Sequence, residues 1–431
     1  MIRGAVRTPG DKSCSHRALI FAALAHGPSR ISGLLEGEDV LRTADAVQAL
    51  GADVEHLGPG EWRVTGAGRF LSPNAPLDFG NSGTGSRLMM GAMAGFGLRA
   101  ELTGDESLQA RPMGRILDPL KSMGASAEND DGGRLPLTFV GSDTLQAIDY
   151  ALPMASAQVK SAILLAALNA KGETVVREPR ATRDHTERML RGFGANVDVK
   201  RTSDGGREIR LRGGQSLTAM DAAIPGDPSS AAFLAAAALI SPDGEALIEN
   251  VMSNETRDGF FQVLGLGSMG GHVGAEEAGE AAGERIVSMT AASAALKGVS
   301  VPERLVPSMI DEFPILGVVA AFAMGETVVS GAEELRVKES DRIGAVVAML
   351  QANGVDAEER PDGFVVQGCG GPPPGGGLVE ARHDHRIAMS ALVMGTASKE
   401  PVRVDDISMI ATSYPGFLDD MRALGADIRD D

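Results

Sequence analysis

The stretch Ala46-Val47-Gln48-Ala49-Leu50-Gly51-Ala52-Asp53-Val54 decides how this chain is read. A helical run closes on an apolar residue, a glycine follows, and a strand-like start comes after a short spacer. The pattern returns as Pro119-Leu120-Lys121-Ser122-Met123-Gly124-Ala125 and as Met189-Leu190-Arg191-Gly192-Phe193-Gly194-Ala195-Asn196-Val197. A looser copy is Leu266-Gly267-Ser268-Met269-Gly270-Gly271-His272-Val273. Two more are Ala348-Met349-Leu350-Gln351-Ala352-Asn353-Gly354-Val355 and Met421-Arg422-Ala423-Leu424-Gly425-Ala426-Asp427-Ile428. The glycines stand at 51, 124, 194, 270, 354 and 425, so the spacings are 73, 70, 76, 84 and 71. In each copy the apolar residue docks the last turn on a sheet, and glycine takes the left-handed position that ends the helix. Six units of such similar length imply duplication. They divide naturally into two sets of three, with a possible divide at Ile224-Pro225-Gly226-Asp227-Pro228-Ser229-Ser230.

Composition narrows the function. Of 431 residues, 43% are hydrophobic, 23% charged and only 4% aromatic, with 55 glycines. Abundant small residues suit helices packed closely on sheets, hence an α/β class. Lys plus Arg is 40 against 58 Asp plus Glu, a net charge of −18. That excludes broad electrostatic binding to nucleic acid or an anionic membrane. An anionic ligand must be held by a local basic cluster working against the global field. Two cysteines, Cys14 and Cys369, are too few for a disulfide framework and are not spaced as a metal site. They read as thiols in a reducing compartment. Met1-Ile2-Arg3-Gly4 leads into a strand-like segment without a signal peptide's apolar stretch. The longest apolar run, Ala231 to Ile240, is too short to span a bilayer. The expected location is the cytoplasm.

Seven segments could carry chemistry. Thr8-Pro9-Gly10-Asp11-Lys12-Ser13-Cys14-Ser15-His16-Arg17 is a basic turn entering an apolar helix. Ser13 or Ser15 could cap that helix, and its free N–H groups favour an anion. In Gly80-Asn81-Ser82-Gly83-Thr84-Gly85-Ser86-Arg87, small residues let backbone N–H groups approach a ligand. Arg111-Pro112-Met113-Gly114-Arg115 presents two guanidinium groups on a rigid turn. In Pro153-Met154-Ala155-Ser156-Ala157-Gln158, hydroxyl and amide groups stand at the mouth of an apolar helix, and Arg180 and Arg183 could add charge there. Asp311 and Glu312 precede another apolar helix, as dipole partners or as a general base. In Arg336-Val337-Lys338-Glu339-Ser340-Asp341-Arg342, Lys338 and Arg342 would share one helical face with Glu339 beside them. Finally, Arg382-His383-Asp384-His385-Arg386 fits an anion site built with Arg386 better than a metal site. Gly265-Leu266-Gly267-Ser268-Met269-Gly270 matches the dinucleotide fingerprint but follows a helix-like segment where a strand is required, so it is rejected. Gly274–Glu284 and Gly370–Gly377 read as surface loops.

As a set, Pro-Gly-Asp-Lys-Ser-x-Ser-His-Arg (9–17), Arg-Pro-Met-Gly-Arg (111–115), Arg-Val-Lys-Glu-Ser-Asp-Arg (336–342) and Asp-His-Arg (384–386) resemble the 5-enolpyruvylshikimate-3-phosphate (EPSP) synthase family. Asp11, Pro-Met-Ala-Ser-Ala-Gln (153–158) and Thr-Arg-Asp-His-Thr-Glu (182–187) are similar to its class II branch. The resemblance implies a two-domain inside-out α/β barrel of six βαβαββ repeats, three per domain. It implies one discontinuous domain over 1–10 and 227–431, a second over 11–226, and an active site in the cleft between them. It implies enolpyruvyl transfer from phosphoenolpyruvate to the 5-hydroxyl of shikimate 3-phosphate, with no metal or organic cofactor, in a monomer inhibited by glyphosate.

By matching positions, Lys12 touches both substrates. Ser13, Arg17, Ser156, Ala157, Gln158, Arg183, Asp311 and Lys338 hold shikimate 3-phosphate. Gly83, Arg111, Gln158, Arg342 and Arg386 hold phosphoenolpyruvate. Asp311 takes the hydroxyl proton and Glu339 protonates the methylene carbon, with Lys12 assisting. Many family members carry a lysine where this chain has Thr412, so one usual cation is missing. An alternative on the same fold is the enolpyruvyl transferase acting on UDP-N-acetylglucosamine, but its usual loop cysteine has no counterpart in 101–125. A catalytically dead binding protein is a second alternative, opposed by Asp311, Glu339 and Lys12.

Overall fold

The computed structural model describes residues 1–129, 131–203, 205–265 and 267–429. All six repeat glycines adopt positive φ: 107° at Gly51, 114° at Gly124, 88° at Gly194, 84° at Gly270, 74° at Gly354 and 94° at Gly425. At five of them the next residue's N–H reaches back five positions to a helical carbonyl. These bonds are Ala52 to Val47, Ala125 to Leu120, Ala195 to Leu190, Val355 to Leu350 and Ala426 to Met421, at 2.8–3.1 Å. That is the Schellman closure, which satisfies carbonyls the helix end would leave bare. The copy at Gly270 is looser, and its Leu266, shared with the rejected fingerprint, lies outside the described residues.

The repeat is seen in full between residues 149 and 212. Strand Asp149–Ala151 leads through helix Ala157–Ala167 to strand Glu173–Glu178, which pairs with it in parallel. Helix His185–Gly192 then leads to the antiparallel strands Val197–Arg201 and Arg207–Arg212, the latter pairing with Glu173–Glu178. Sheets of the same order are built around Ala25–Ser32, Arg99–Thr103 and Glu245–Ser253. In the last, the N-terminal strand Arg3–Arg7 supplies the parallel edge, in register from Arg3 with Glu245 to Arg7 with Glu249. Strand Met324–Val329 pairs with Gly363–Cys369, and the short strands Leu378–Val379 and Arg403–Val404 pair in parallel. The architecture is therefore α/β, with six sheets among the described residues.

The chain forms two compact units. The first comprises Met1–Pro9, Pro225–Glu280 and Glu284–Asp431; the second comprises Gly10–Ile224 and Ala281–Gly283. In the first unit the helices Pro228–Ile240, Phe313–Phe322 and His385–Gly395 pack on one another. Every residue of the first two is buried. In the second unit Gly83–Met93 packs on both Lys12–Leu24 and Ala157–Ala167. A helix that is apolar all round must be covered all round, so the helices lie inside and the sheets outside. Gly91 is required at one crossing, because a Cβ there would stand 2.4 Å from the Ala162 carbonyl oxygen. Among the described residues, no helix is long and apolar enough to cross a membrane.

Three local expectations are corrected. Gly274–Glu284 is a hairpin rather than a loop: strand His272–Ala281 turns at Ala282 and Gly283 (φ 49° and 75°) into strand Glu284–Ala292. Its exposed side chains are those of a sheet edge, where Glu276, Glu277 and Glu280 discourage further pairing. The cap of Lys12–Leu24 is Asp11, whose carboxylate accepts from the Cys14 N–H at 2.7 Å, and neither Ser13 nor Ser15. Ser15 instead accepts from the Leu35 N–H. Lys338 and Arg342 do not share a helix: a 3-10 turn ends at Val337, and the helix Arg342–Ala352 starts afresh from its cap Asp341.

Candidate functional site

In each unit the quoted motifs lie at the N-terminal turns of the buried helices. Such turns expose unpaired N–H groups and the positive end of the helix dipole.

In the second unit, the first turns of Gly83–Met93 and Ala157–Ala167 are bonded together. Gln158 donates to Thr84 Oγ1 at 3.1 Å and accepts from Arg87 Nη1 at 2.8 Å. Ser156 caps its helix, with its hydroxyl 3.5 Å from the Val159 N–H, and Ala157 is the first helical residue. Gly83 begins its own helix, and a Cβ on it would stand 3.1 Å from both Arg87 Nη1 and Arg111 Nη1. Arg111, itself buried, donates to the Asn81 carbonyl and side chain and to Ser107 Oγ. Gly83, Arg87, Arg111 and Gln158 thus form one cluster.

Lys12 opens the first helix and pairs with the buried carboxylate of Asp39. Arg17 is 3% exposed and donates to Thr186 Oγ1, Ser161 Oγ and the Ser13 carbonyl at 2.7, 2.9 and 2.9 Å. Burial lowers its pKa, and Cys14, Asp11 and Glu187 partly offset this. Arg183 is half-buried, just before helix His185–Gly192. Asp11, Cys14 and His185 bring three metal-capable atoms within 4.8 Å of one another. Asp11 is already the helix cap, and the cations of Lys12 and Arg17 lie in the same turns, so the surroundings disfavour a bound cation.

In the first unit, three helix starts are tied together. Ser229 donates to Glu312, and Arg386 Nη1 donates to the Asp311 carbonyl at 3.1 Å. Arg342 is the hub, only 1% exposed. Its Nε bonds Asp384 at 2.8 Å, its Nη1 bonds Asp311 at 3.2 Å, and its Nη2 bonds Glu339 at 2.6 Å. Burial alone would lower its pKa. Asp384, Glu339 and Asp311 outweigh burial and hold it above the ordinary arginine value. Lys338 Nζ lies 3.8 Å from the same Asp311 oxygen, although it belongs to a different element from Arg342. Asp384 caps helix His385–Gly395 and follows two residues with positive φ, Arg382 and His383. Thr412 donates to the Met409 carbonyl at 2.7 Å and supplies no charge.

Several residues carry contacts that the sequence did not assign: Arg87, Asp39, Ser161, Thr186 and Asp384. Arg87, Thr186 and Asp384 lie inside quoted motifs, but their side-chain partners Gln158, Arg17 and Arg342 are distant in sequence, so no local pattern marks them.

Residues 1–421 match the family described as EPSP synthase (3-phosphoshikimate 1-carboxyvinyltransferase). A relative from Hyphomonas neptunium named 3-phosphoshikimate 1-carboxyvinyltransferase is 66% identical over 430 residues, spanning 99% of this chain and 98% of its own. The solved EPSP synthase of Acinetobacter baumannii is 42% identical and superposes with a TM-score of 0.85, over 99% of this chain and 96% of that one. The enolpyruvyl transferase NikO from Streptomyces tendae, at 21% identity and a TM-score of 0.76, shares the fold over 99% of this chain and 96% of that one.

Proposed function

The chain belongs to the EPSP synthase (3-phosphoshikimate 1-carboxyvinyltransferase) family, and from that premise we propose how its own residues divide the work. It is a transferase of the shikimate pathway, moving the enolpyruvyl group of phosphoenolpyruvate to the 5-hydroxyl of shikimate 3-phosphate. Arg17, Ser13, Ser156, Ala157, Gln158, Arg183, Asp311 and Lys338 hold shikimate 3-phosphate. Arg111, Gln158, Arg342, Arg386 and the Gly83 turn hold phosphoenolpyruvate, and Lys12 touches both. Each substrate carries a phosphate and a carboxylate, so fixed cations are needed to bring them together. Arginine suits bidentate capture of such groups.

In the addition step, Asp311 takes the 5-hydroxyl proton, the oxygen bonds to C2 of phosphoenolpyruvate, and Glu339 delivers a proton to C3. In the elimination step, a C3 proton returns to Glu339 and the C2–O bond to phosphate breaks. Phosphate leaves with the proton held by Asp311. The observation that carries this reading is the single guanidinium of Arg342, which contacts both Asp311 and Glu339. One buried cation orients both proton-transfer groups.

The enzyme works as a cytoplasmic monomer on small molecules, a reading supported by the net charge of −18 and by the burial of its apolar helices. Phosphate release with shikimate 3-phosphate and phosphoenolpyruvate tests the reaction. No release with this pair, together with activity on UDP-N-acetylglucosamine, would overturn it. Asp311→Asn, Glu339→Gln and Lys12→Met, each followed by trapping the tetrahedral intermediate, separate addition defects from elimination defects.

A further inference from the structure

Arg17 and Arg342 are both buried arginines, but they are held in opposite ways. Arg342 is held by three carboxylates. The hydrogen bonds of Arg17 go to neutral oxygens. Its Nε donates to Thr186 Oγ1 and its Nη2 donates to Ser161 Oγ. Thr186 Oγ1 in turn donates to Ser161 Oγ at 2.7 Å. The fork and the two hydroxyls close a ring, and Nη1 is tied to the Ser13 carbonyl at 2.9 Å.

One nearby carboxylate is taken up elsewhere. Glu187, next to Thr186, pairs at 2.9 Å with Lys160, which adjoins Ser161. Lys160 is fully buried and also pairs with Glu178 at 3.1 Å. The helices Ala157–Ala167 and His185–Gly192 are thus joined by two adjacent rungs, one ionic and one of hydroxyls. Only the hydroxyl rung bonds Arg17.

We propose that Thr186 and Ser161 are positioning residues that fix the Arg17 guanidinium for an anionic substrate group without neutralising it, while Lys160 keeps Glu187 from doing so. A carboxylate in place of Thr186 would hold the fork equally well and cancel its charge. Hydroxyls restrict the rotamer and leave the positive charge to act on the ligand in a site of low dielectric. This rests on the reading of Arg17 as a shikimate 3-phosphate ligand.

The test is Thr186→Val, which keeps the shape and removes the acceptor, with Thr186→Ser as the conservative rescue and Ser161→Ala as a second break of the ring. In steady-state assays the expected result for Thr186→Val and Ser161→Ala is a rise of roughly tenfold or more in KM for shikimate 3-phosphate. KM for phosphoenolpyruvate should stay within about twofold, and Thr186→Ser should restore wild-type values. Arg17→Ala is run beside them. If Arg17→Ala raises KM for shikimate 3-phosphate while Thr186→Val and Ser161→Ala do not, the positioning role is wrong. If Arg17→Ala leaves that KM unchanged, the substrate assignment itself is wrong. Should Thr186→Val fail to fold, Ser161→Ala with the Thr186→Ser comparison decides. Equal rises in both KM values, or a loss of thermal stability alone, would reduce Thr186 to a structural contact and overturn the proposal.

Discussion

Arg342 and Asp384 form a pair sealed from solvent: Asp384 is 0% exposed and Arg342 1%, with Nε to Oδ2 at 2.8 Å and Nη2 to Oδ1 at 3.3 Å. Asp384 also accepts from the Arg386 N–H at 3.0 Å and the Ser340 hydroxyl at 3.0 Å. One carboxylate therefore holds the guanidinium of Arg342 and the backbone of Arg386, both assigned to phosphoenolpyruvate. Asp384→Ala removes a buried partner and a helix cap, and should cost about 3 kcal/mol of stability. Denaturant unfolding measures this. KM for phosphoenolpyruvate should rise more than KM for shikimate 3-phosphate, and an unchanged ratio would separate Asp384 from the site.

Gly83→Ala places a methyl 3.1 Å from a nitrogen of each of Arg87 and Arg111. Both are side-chain ends and can yield, so the fold should survive. Glyphosate is longer than phosphoenolpyruvate and should be crowded more. Its inhibition constant should rise by about tenfold or more, the overpacking range, while KM for phosphoenolpyruvate rises less. Equal changes in the two constants would refute this.

Thr412→Lys supplies the cation that this chain lacks. The Thr412 hydroxyl is spent on its own turn, bonding the Met409 carbonyl. A lysine there should lower KM for phosphoenolpyruvate by a few fold, about 1 kcal/mol for a partly exposed charge. The gain should shrink as salt is added. A KM unmoved at low salt would show that the position does not face the substrate.

His16 is completely buried, and its Nδ1 lies 2.8 Å from Thr43 Oγ1. Burial, then Lys12 and Arg17, push its pKa well below the ordinary 6.5, against a weaker upward pull from Asp11. As pH falls below 6.5 the unfolded chain binds a proton that the folded chain refuses. Stability is complete above that pH and is lost on acidification, by up to about 1.4 kcal/mol per pH unit. In His16→Gln the melting temperature should fall less steeply between pH 6.5 and 5. Parallel curves for the two proteins would assign the acid loss to other groups.

Short-range patterns were the most legible part of the chain. The six glycines announce left-handed helix ends because only glycine adopts that geometry without strain, and all six have it. The sheet edge at 272–281 was hidden by its composition: Gly, Ala and Glu signal a loop, and it is held as a strand by its neighbour rather than by propensity. The break between Lys338 and Arg342 was hidden because charge spacing alone does not show that Asp341 restarts the helix. In the site, the arginines announced themselves by motif. Their partners did not: Thr186 is 169 positions from Arg17, and Asp384 is 42 from Arg342. Contacts of that span exist only after folding.

The strand Arg3–Arg7 pairs with Glu245–Ser253, 242 positions away, and the Arg3 N–H also bonds the Leu424 carbonyl. During synthesis these first residues emerge long before either partner exists. Residues 10–224 can complete their own sheets in the meantime, whereas the unit containing Arg3–Arg7 must wait for residue 424. Strand Arg3–Arg7 thus stays unpaired until residues 245–249 have been made, a period in which chaperone contact can matter. Altering the exposed face of Arg3–Arg7 should therefore affect yield in the cell before it affects turnover in the test tube.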